Sequence, residues 1–95
     1  MTRCTVVWDR NVEVPFMNAW IAGNSQTRAI LSEVANWLDA NLAEDPDRKG
    51  EPRPEHSARQ IDVPILSSSA HVSATFRVLA DDRQVRVICL IFRGS

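Results

Sequence analysis

SAHVSATFRVLADDRQVRVICLIFR, from Ser69 to Arg93, is two alternating runs on either side of a polar turn. Val72, Ala74, Phe76 and Val78 alternate with His71, Ser73, Thr75 and Arg77. After Ala80-Asp81-Asp82-Arg83, Val85, Val87, Cys89 and Ile91 alternate with Arg86, Ile88, Leu90 and Phe92. A period of two sends successive side chains to opposite faces of a strand, so the stretch predicts an antiparallel β-hairpin. If the turn closes with Leu79 beside Gln84, Arg77 stands opposite Arg86 on one face. Beyond Val87 that face also carries Ile88, Leu90 and Phe92, so the last strand reads as apolar on both sides. Such a strand is either covered by the rest of the chain, or it docks a partner's segment or a second copy.

Working back from the hairpin, Arg59 to Val63 (RQIDV) reads as a further strand, ended by Pro64. Asp47 to Ser57 (DRKGEPRPEHS) is polar and holds Gly50, Pro52 and Pro54, which predicts a surface loop. The clearest helix precedes it. Ile30, Val34, Trp37, Leu38, Asn41 and Leu42 track one face from the Asn24-Ser25 cap to Glu44, and Asp45-Pro46 ends the run. Phe16, Met17, Trp20 and Ile21 recur at helical spacing within Val12 to Ala22, with Pro15 expected in the first turn. Val12-Glu13-Val14 equally suits an extension of the strand before it. That strand is Cys4 to Trp8 (CTVVW), rich in β-branched and aromatic residues. Gly23-Asn24 leaves room only for a tight helical hairpin.

The order β-α-α-β-β-β predicts an α+β fold, a helical hairpin packed on a small, mainly antiparallel sheet. The first strand is expected at a sheet edge, or parallel to a distant strand. The 95 residues hold one core, and residues 1–95 are read as a single domain. Trp20 and Trp37 are expected in the contact between the helices.

Eleven Lys plus Arg against twelve Asp plus Glu leave a formal charge of −1, which argues against tight nonspecific nucleic-acid binding. Lys49 is the sole lysine, so the cations are almost all arginines, suited to planar contacts with carboxylate or phosphate. Cys4 and Cys89 show no metal-ligand spacing; both are expected as buried, inert thiols, with no sign of a disulfide. No cofactor is implied. Neither a signal peptide nor a membrane-spanning run is visible, so a cytoplasmic setting without membrane contact is the expectation.

Several of these features together resemble the RelE/ParE toxin superfamily. They are the helix ending Leu42-Ala43-Glu44-Asp45-Pro46, the loop Gly50-Glu51-Pro52-Arg53, and Arg59 opening the next strand. Pro64-Ile65, Phe76-Arg77-Val78 and Asp81 to Val87 (DDRQVRV) complete the set, covering about Thr27 to Phe92. The resemblance implies a toxin-like protein of a bacterial toxin–antitoxin system. RelE-like members are ribosome-dependent messenger-RNA endonucleases; ParE-like members inhibit DNA gyrase. Both are neutralised by an antitoxin whose extended segment wraps the toxin. A homodimer is also open.

RNA cleavage by 2′-hydroxyl attack needs a base, an acid and cations to offset charge on the phosphorane. RelE-like nucleases place Arg and Lys on the concave sheet face, with a Tyr or His near the carboxy terminus. The matching strands here offer Arg59, Arg77, Arg86 and Arg93. Arg59, Arg77 and Arg86 are the candidate charge-bearing residues and His71 the candidate acid–base group, with His56 in the loop as the other imidazole. The chain departs from that pattern in having no Tyr and in carrying its one Lys in the loop. Facing arginines destabilise a strand pair by about 0.2–1 kcal/mol unless an anion satisfies them, which marks Arg77 and Arg86 as an anion site. They can equally be solvated, or paired with Asp62, Asp81 or Asp82. A non-catalytic interaction module built on a degenerate toxin fold is the alternative function.

Overall fold

The computed structural model describes residues 3–53 and 57–93. Five strands form one sheet: β1 (Thr5–Trp8), β2 (Glu51–Arg53), β3 (Ala58–Val63), β4 (His71–Leu79) and β5 (Gln84–Arg93), in the spatial order β1-β5-β4-β3-β2. β1 runs parallel to β5 at one edge, and every other pairing is antiparallel. The helices α1 (Arg10–Ala22) and α2 (Ser25–Leu42) lie on one face. The architecture is the expected α+β arrangement with one strand more, β2, inside the segment read as a loop. Pro52 hid it: proline breaks the alternation signal, yet an edge strand tolerates a residue that cannot donate to a second neighbour.

Local chemistry explains the helix boundaries. The amides of Val12 and Glu13 both donate to the Asp9 carbonyl, so α1 begins at Arg10, and Val12-Glu13-Val14 is helical rather than extended. Pro15 therefore falls in the second turn instead of the first. Asn24 caps α2 as expected, its side-chain oxygen accepting from the Thr27 amide at 2.9 Å. Arg28 ties the two helices: its Nε donates to the Trp20 carbonyl at 2.9 Å, and its guanidinium lies 5.7 Å from the centre of the Trp20 ring. An edge-to-face aromatic contact forms between Trp8 and Phe16, with ring centroids 4.8 Å apart.

The core sits between the helices and the middle of the sheet. Leu31, Val34, Leu38 and Leu42 of α2 are buried, and Val34, Leu38 and Leu42 meet Val63, Val72, Ala74, Phe76, Val85 and Val87. Each large side chain taken fully out of water there contributes about 1.5–3 kcal/mol.

One irregularity changes the reading of the hairpin. Phe76 pairs with Val87, but Thr75 pairs with Cys89, so β5 carries an extra residue, Ile88, at a bulge. A one-residue insertion flips the phase of all that follows. Leu90 and Phe92 consequently share a face with Ala74 and Val72, while Cys89, Ile91 and Arg93 join Arg86. The expected two-sided apolar face on Arg86's side is corrected accordingly. Cys89 is exposed rather than buried, Cys4 is buried, and neither is in a disulfide. Among the described residues, no helix is long and apolar enough to cross a membrane.

Candidate anion-binding face

The helices cover one face of the sheet and leave the other open. Continuing the β3–β4 register, which pairs Arg59 with Phe76, brings Ala58 beside Arg77. Arg53 pairs with Ala58, Arg77 with Arg86, and Arg86 with Val7. Four pairings thus line up Arg53, Ala58, Arg77, Arg86 and Val7 across all five strands. At about 4.8 Å per strand, Arg77 and Arg86 are neighbours, and Arg53 follows about 10 Å from Arg77. Ala58, with its single methyl, keeps the gap between them low.

All three arginines are exposed. The Arg53 Nε donates to Gln60 Oε1 at 2.8 Å, which holds its guanidinium against the face. Arg86 lies 3.6 Å from an Asp9 carboxylate oxygen, with 46% of the Arg86 side chain and 29% of the Asp9 side chain accessible. Asp9 is the residue that opens α1, so the helix start sets a carboxylate at one end of the row. An exposed pair of this kind is worth about 0–1 kcal/mol, little enough for a better anion to displace it.

The expected site residues do not all come together. Arg77 and Arg86 meet as predicted, with Leu79 opposite Gln84. The counter-charge beside Arg86 is Asp9, from a different part of the chain than Asp62, Asp81 or Asp82. Arg59 points to the other face: it pairs with Phe76, its Nε donates to the Lys49 carbonyl at 2.7 Å and its Nη2 to the Gly50 carbonyl at 3.2 Å. That geometry fastens the turn before β2, where Gly50 has φ of 67°. His71 does share the open face, but six residues along β4 from Arg77, a separation of about 20 Å. Its cross-strand partner is Arg93. His56 lies outside the described residues. Arg53 and Asp9 were missed, the first because a three-residue strand containing proline has too little alternation to read, the second because only the parallel β1–β5 pairing brings it near Arg86.

Among the described residues, no group of three or more His, Cys, Asp or Glu is placed to hold a metal ion. The row's immediate neighbours on the open face are Glu51, Gln60, Thr75 and Cys89 on one side, Glu51 bringing a carboxylate beside Arg53, and Thr5, Gln84 and Leu79 on the other. The arrangement can hold negative charge through charge-assisted hydrogen bonds.

No protein-family model matches the sequence, and no curated protein is a significant match. Solved structures do match. A double arginine-to-alanine mutant of the E. coli toxin RelE, in its free state, superposes with a TM-score of 0.65 at 16% identity, covering 93% of this chain and 81% of RelE. A chain of the chromosomal ParDE toxin–antitoxin system from P. aeruginosa superposes with a TM-score of 0.66 at 13% identity, covering 100% of both chains. The fold is RelE/ParE-like. At these identities the likeness carries the architecture, which agrees with the resemblance read from the motifs between Thr27 and Phe92.

Proposed function

We propose that this chain is a toxin-like protein of a bacterial toxin–antitoxin system. In this reading it acts in the cytoplasm by holding an anionic stretch of a macromolecular target on the open face of its sheet. The observation that carries the reading is the row Arg53, Arg77 and Arg86, built by four register pairings on the one face the helices leave bare. An incoming phosphate or carboxylate takes charge-assisted hydrogen bonds from these exposed guanidinium groups, displacing the weak Arg86–Asp9 pair. The RelE/ParE-like fold supports the toxin-like assignment, and an antitoxin is the expected neutralising partner.

Binding is favoured over cleavage. The sequence has no Tyr, and His71 stands about 20 Å from the row along β4, too far to serve the same phosphate as Arg77 and Arg86. Inhibition of a target such as DNA gyrase therefore fits the face better than cleavage of ribosome-bound messenger RNA.

Induced expression in a bacterial host tests the proposal. Growth arrest is expected, with relief by Arg77→Ala combined with Arg86→Ala at unchanged protein level. Assays of gyrase supercoiling and of ribosome-bound message then separate the modes. Message cleavage that survives purification would replace binding by nuclease action. Partner binding without growth arrest would favour a non-catalytic interaction module.

A further inference from the structure

The far end of the open face carries a second, separate feature. A cleft of about 780 Å³ is walled by the β3–β4 connection and by the adjoining ends of β3, β4 and β5. His71 and Arg93, direct cross-strand partners, both line it. Ser68, Ser69 and Ser73 add hydroxyl groups, and Val63, Pro64 and Ile65 add apolar surface. Asp62 lies on the same wall, accepting a hydrogen bond from the Ser73 hydroxyl at 3.1 Å.

The connection forming this wall is fastened from behind. Glu33 of α2 accepts from the Leu66 amide at 3.1 Å, from the Ser67 amide at 3.3 Å, and from the Ser67 hydroxyl. Ser68 Oγ accepts from the Ala70 amide at 3.2 Å, which tightens the turn into β4. A carboxylate that spans from a helix to a loop in this way holds the Leu66–Ser67 segment that leads into Ser68 and Ser69, so the wall is shaped before any ligand arrives.

We propose that this cleft binds a phosphate monoester of nucleotide size. Arg93 and the His71 imidazole N–H face the phosphate, as the adjacent cation and donor on the wall. Arginine offers phosphate a planar, two-pronged set of donors. Asp62 would repel a phosphate placed beside it, so the ligand lies with its phosphate at the Arg93 end. The carboxylate at the other end accepts from sugar hydroxyls. The cleft falls within the roughly 300–1,000 Å³ usual for small-molecule sites, far more than a bare phosphate fills. The site is independent of the arginine row, about 20 Å away along the strands.

Calorimetric titration of the whole chain with 5′-AMP, inorganic phosphate and adenosine tests this. The expectation is saturable AMP binding, at least tenfold weaker binding of phosphate, and weaker binding of adenosine. Arg93→Ala is expected to weaken AMP at least tenfold and Arg93→Lys less. Asp62→Asn should weaken AMP while leaving phosphate unchanged. Arg48→Ala, an exposed arginine outside both the cleft and the row, should leave AMP affinity within twofold, and circular dichroism checks that each variant is folded. Absence of AMP binding, indifference to Arg93→Ala, or an equal loss of binding in Arg48→Ala would each overturn the proposal. Because the readout is direct binding, it stands or falls separately from any effect on growth.

Discussion

Arg77 on β4 stands directly opposite Arg86 on β5, on the open face of the sheet, and Asp9 reaches the second of the two at 3.6 Å. Two guanidinium groups in register disfavour the folded state by about 0.2–1 kcal/mol. Replacing Arg77 by Ala removes that repulsion together with the exposed side chain's own contact, so thermal stability should change by no more than about 1 kcal/mol, while target binding falls roughly tenfold or more for the loss of a charged hydrogen-bonding group. A melting curve and a binding isotherm on the same variant check the pair of outcomes. A loss of stability large enough to account for the lost binding would assign Arg77 a structural role.

Arg59 should behave in the opposite sense. Its guanidinium donates to the Lys49 and Gly50 carbonyls, so Arg59→Ala removes two anchors from the turn before β2. Each such bond to a charged group is worth about 1.5–3 kcal/mol, reduced here by partial exposure. Faster amide exchange in β2 is expected, with little direct effect on anion binding except through Arg53, which pairs with Ala58 from the same strand. Exchange rates measured across Glu51–Arg53 give the answer.

The bulge at Ile88 predicts unequal thiols. Cys89 is exposed on the open face, and Cys4 is 7% exposed beneath the helices. A thiol reagent should modify Cys89 rapidly in the native protein and reach Cys4 only on unfolding. Deleting Ile88 would remove the bulge while keeping Cys89 opposite Thr75 and Leu90 opposite Ala74, so the far end of β5 is expected to stay paired and Cys89 to stay reactive. Native-state modification of both thiols at equal rates would contradict the register.

Glu33 supplies a pH signature. The Ser67 hydroxyl, opposed by modest desolvation and helped by the Ser67 and Leu66 amides, lowers its pKa below the ordinary 4.5. With the folded value below the unfolded one, the tether's contribution is complete above the ordinary carboxylate range. It is lost as pH falls through the lowered value. The Leu66 and Ser67 amide resonances should titrate with a midpoint below 4.5, and Glu33→Gln should abolish that titration. Asp39 runs the other way: burial raises its pKa, so Asp39→Asn should cost no stability at neutral pH.

Much of this was legible in the residues. The alternation of His71 to Leu79 and of Gln84 to Val87 determined the hairpin and which residues share a face, because a one-residue slip would expose Val72-Ala74-Phe76, and closure of the turn at Leu79 and Gln84 then sets Arg77 opposite Arg86. The α2 face from Val34 to Leu42 and the Asn24 cap followed from helical spacing and from the free amides of a helix start. Tertiary structure alone decided the rest. The bulge that reverses the faces of Cys89 and Leu90 arises from pairing with β4, and nothing local in Ile88-Cys89-Leu90 announces it. Arg59 and Arg77 read alike as exposed strand arginines, yet one fastens a turn and the other faces outward, since strand parity counts only once the neighbours' register is set. Asp9 reaches Arg86 only because β1 runs parallel to β5, a contact between residues far apart in the chain. Periodicity is a local property of the backbone, whereas the partner of a charge is chosen by how distant strands align.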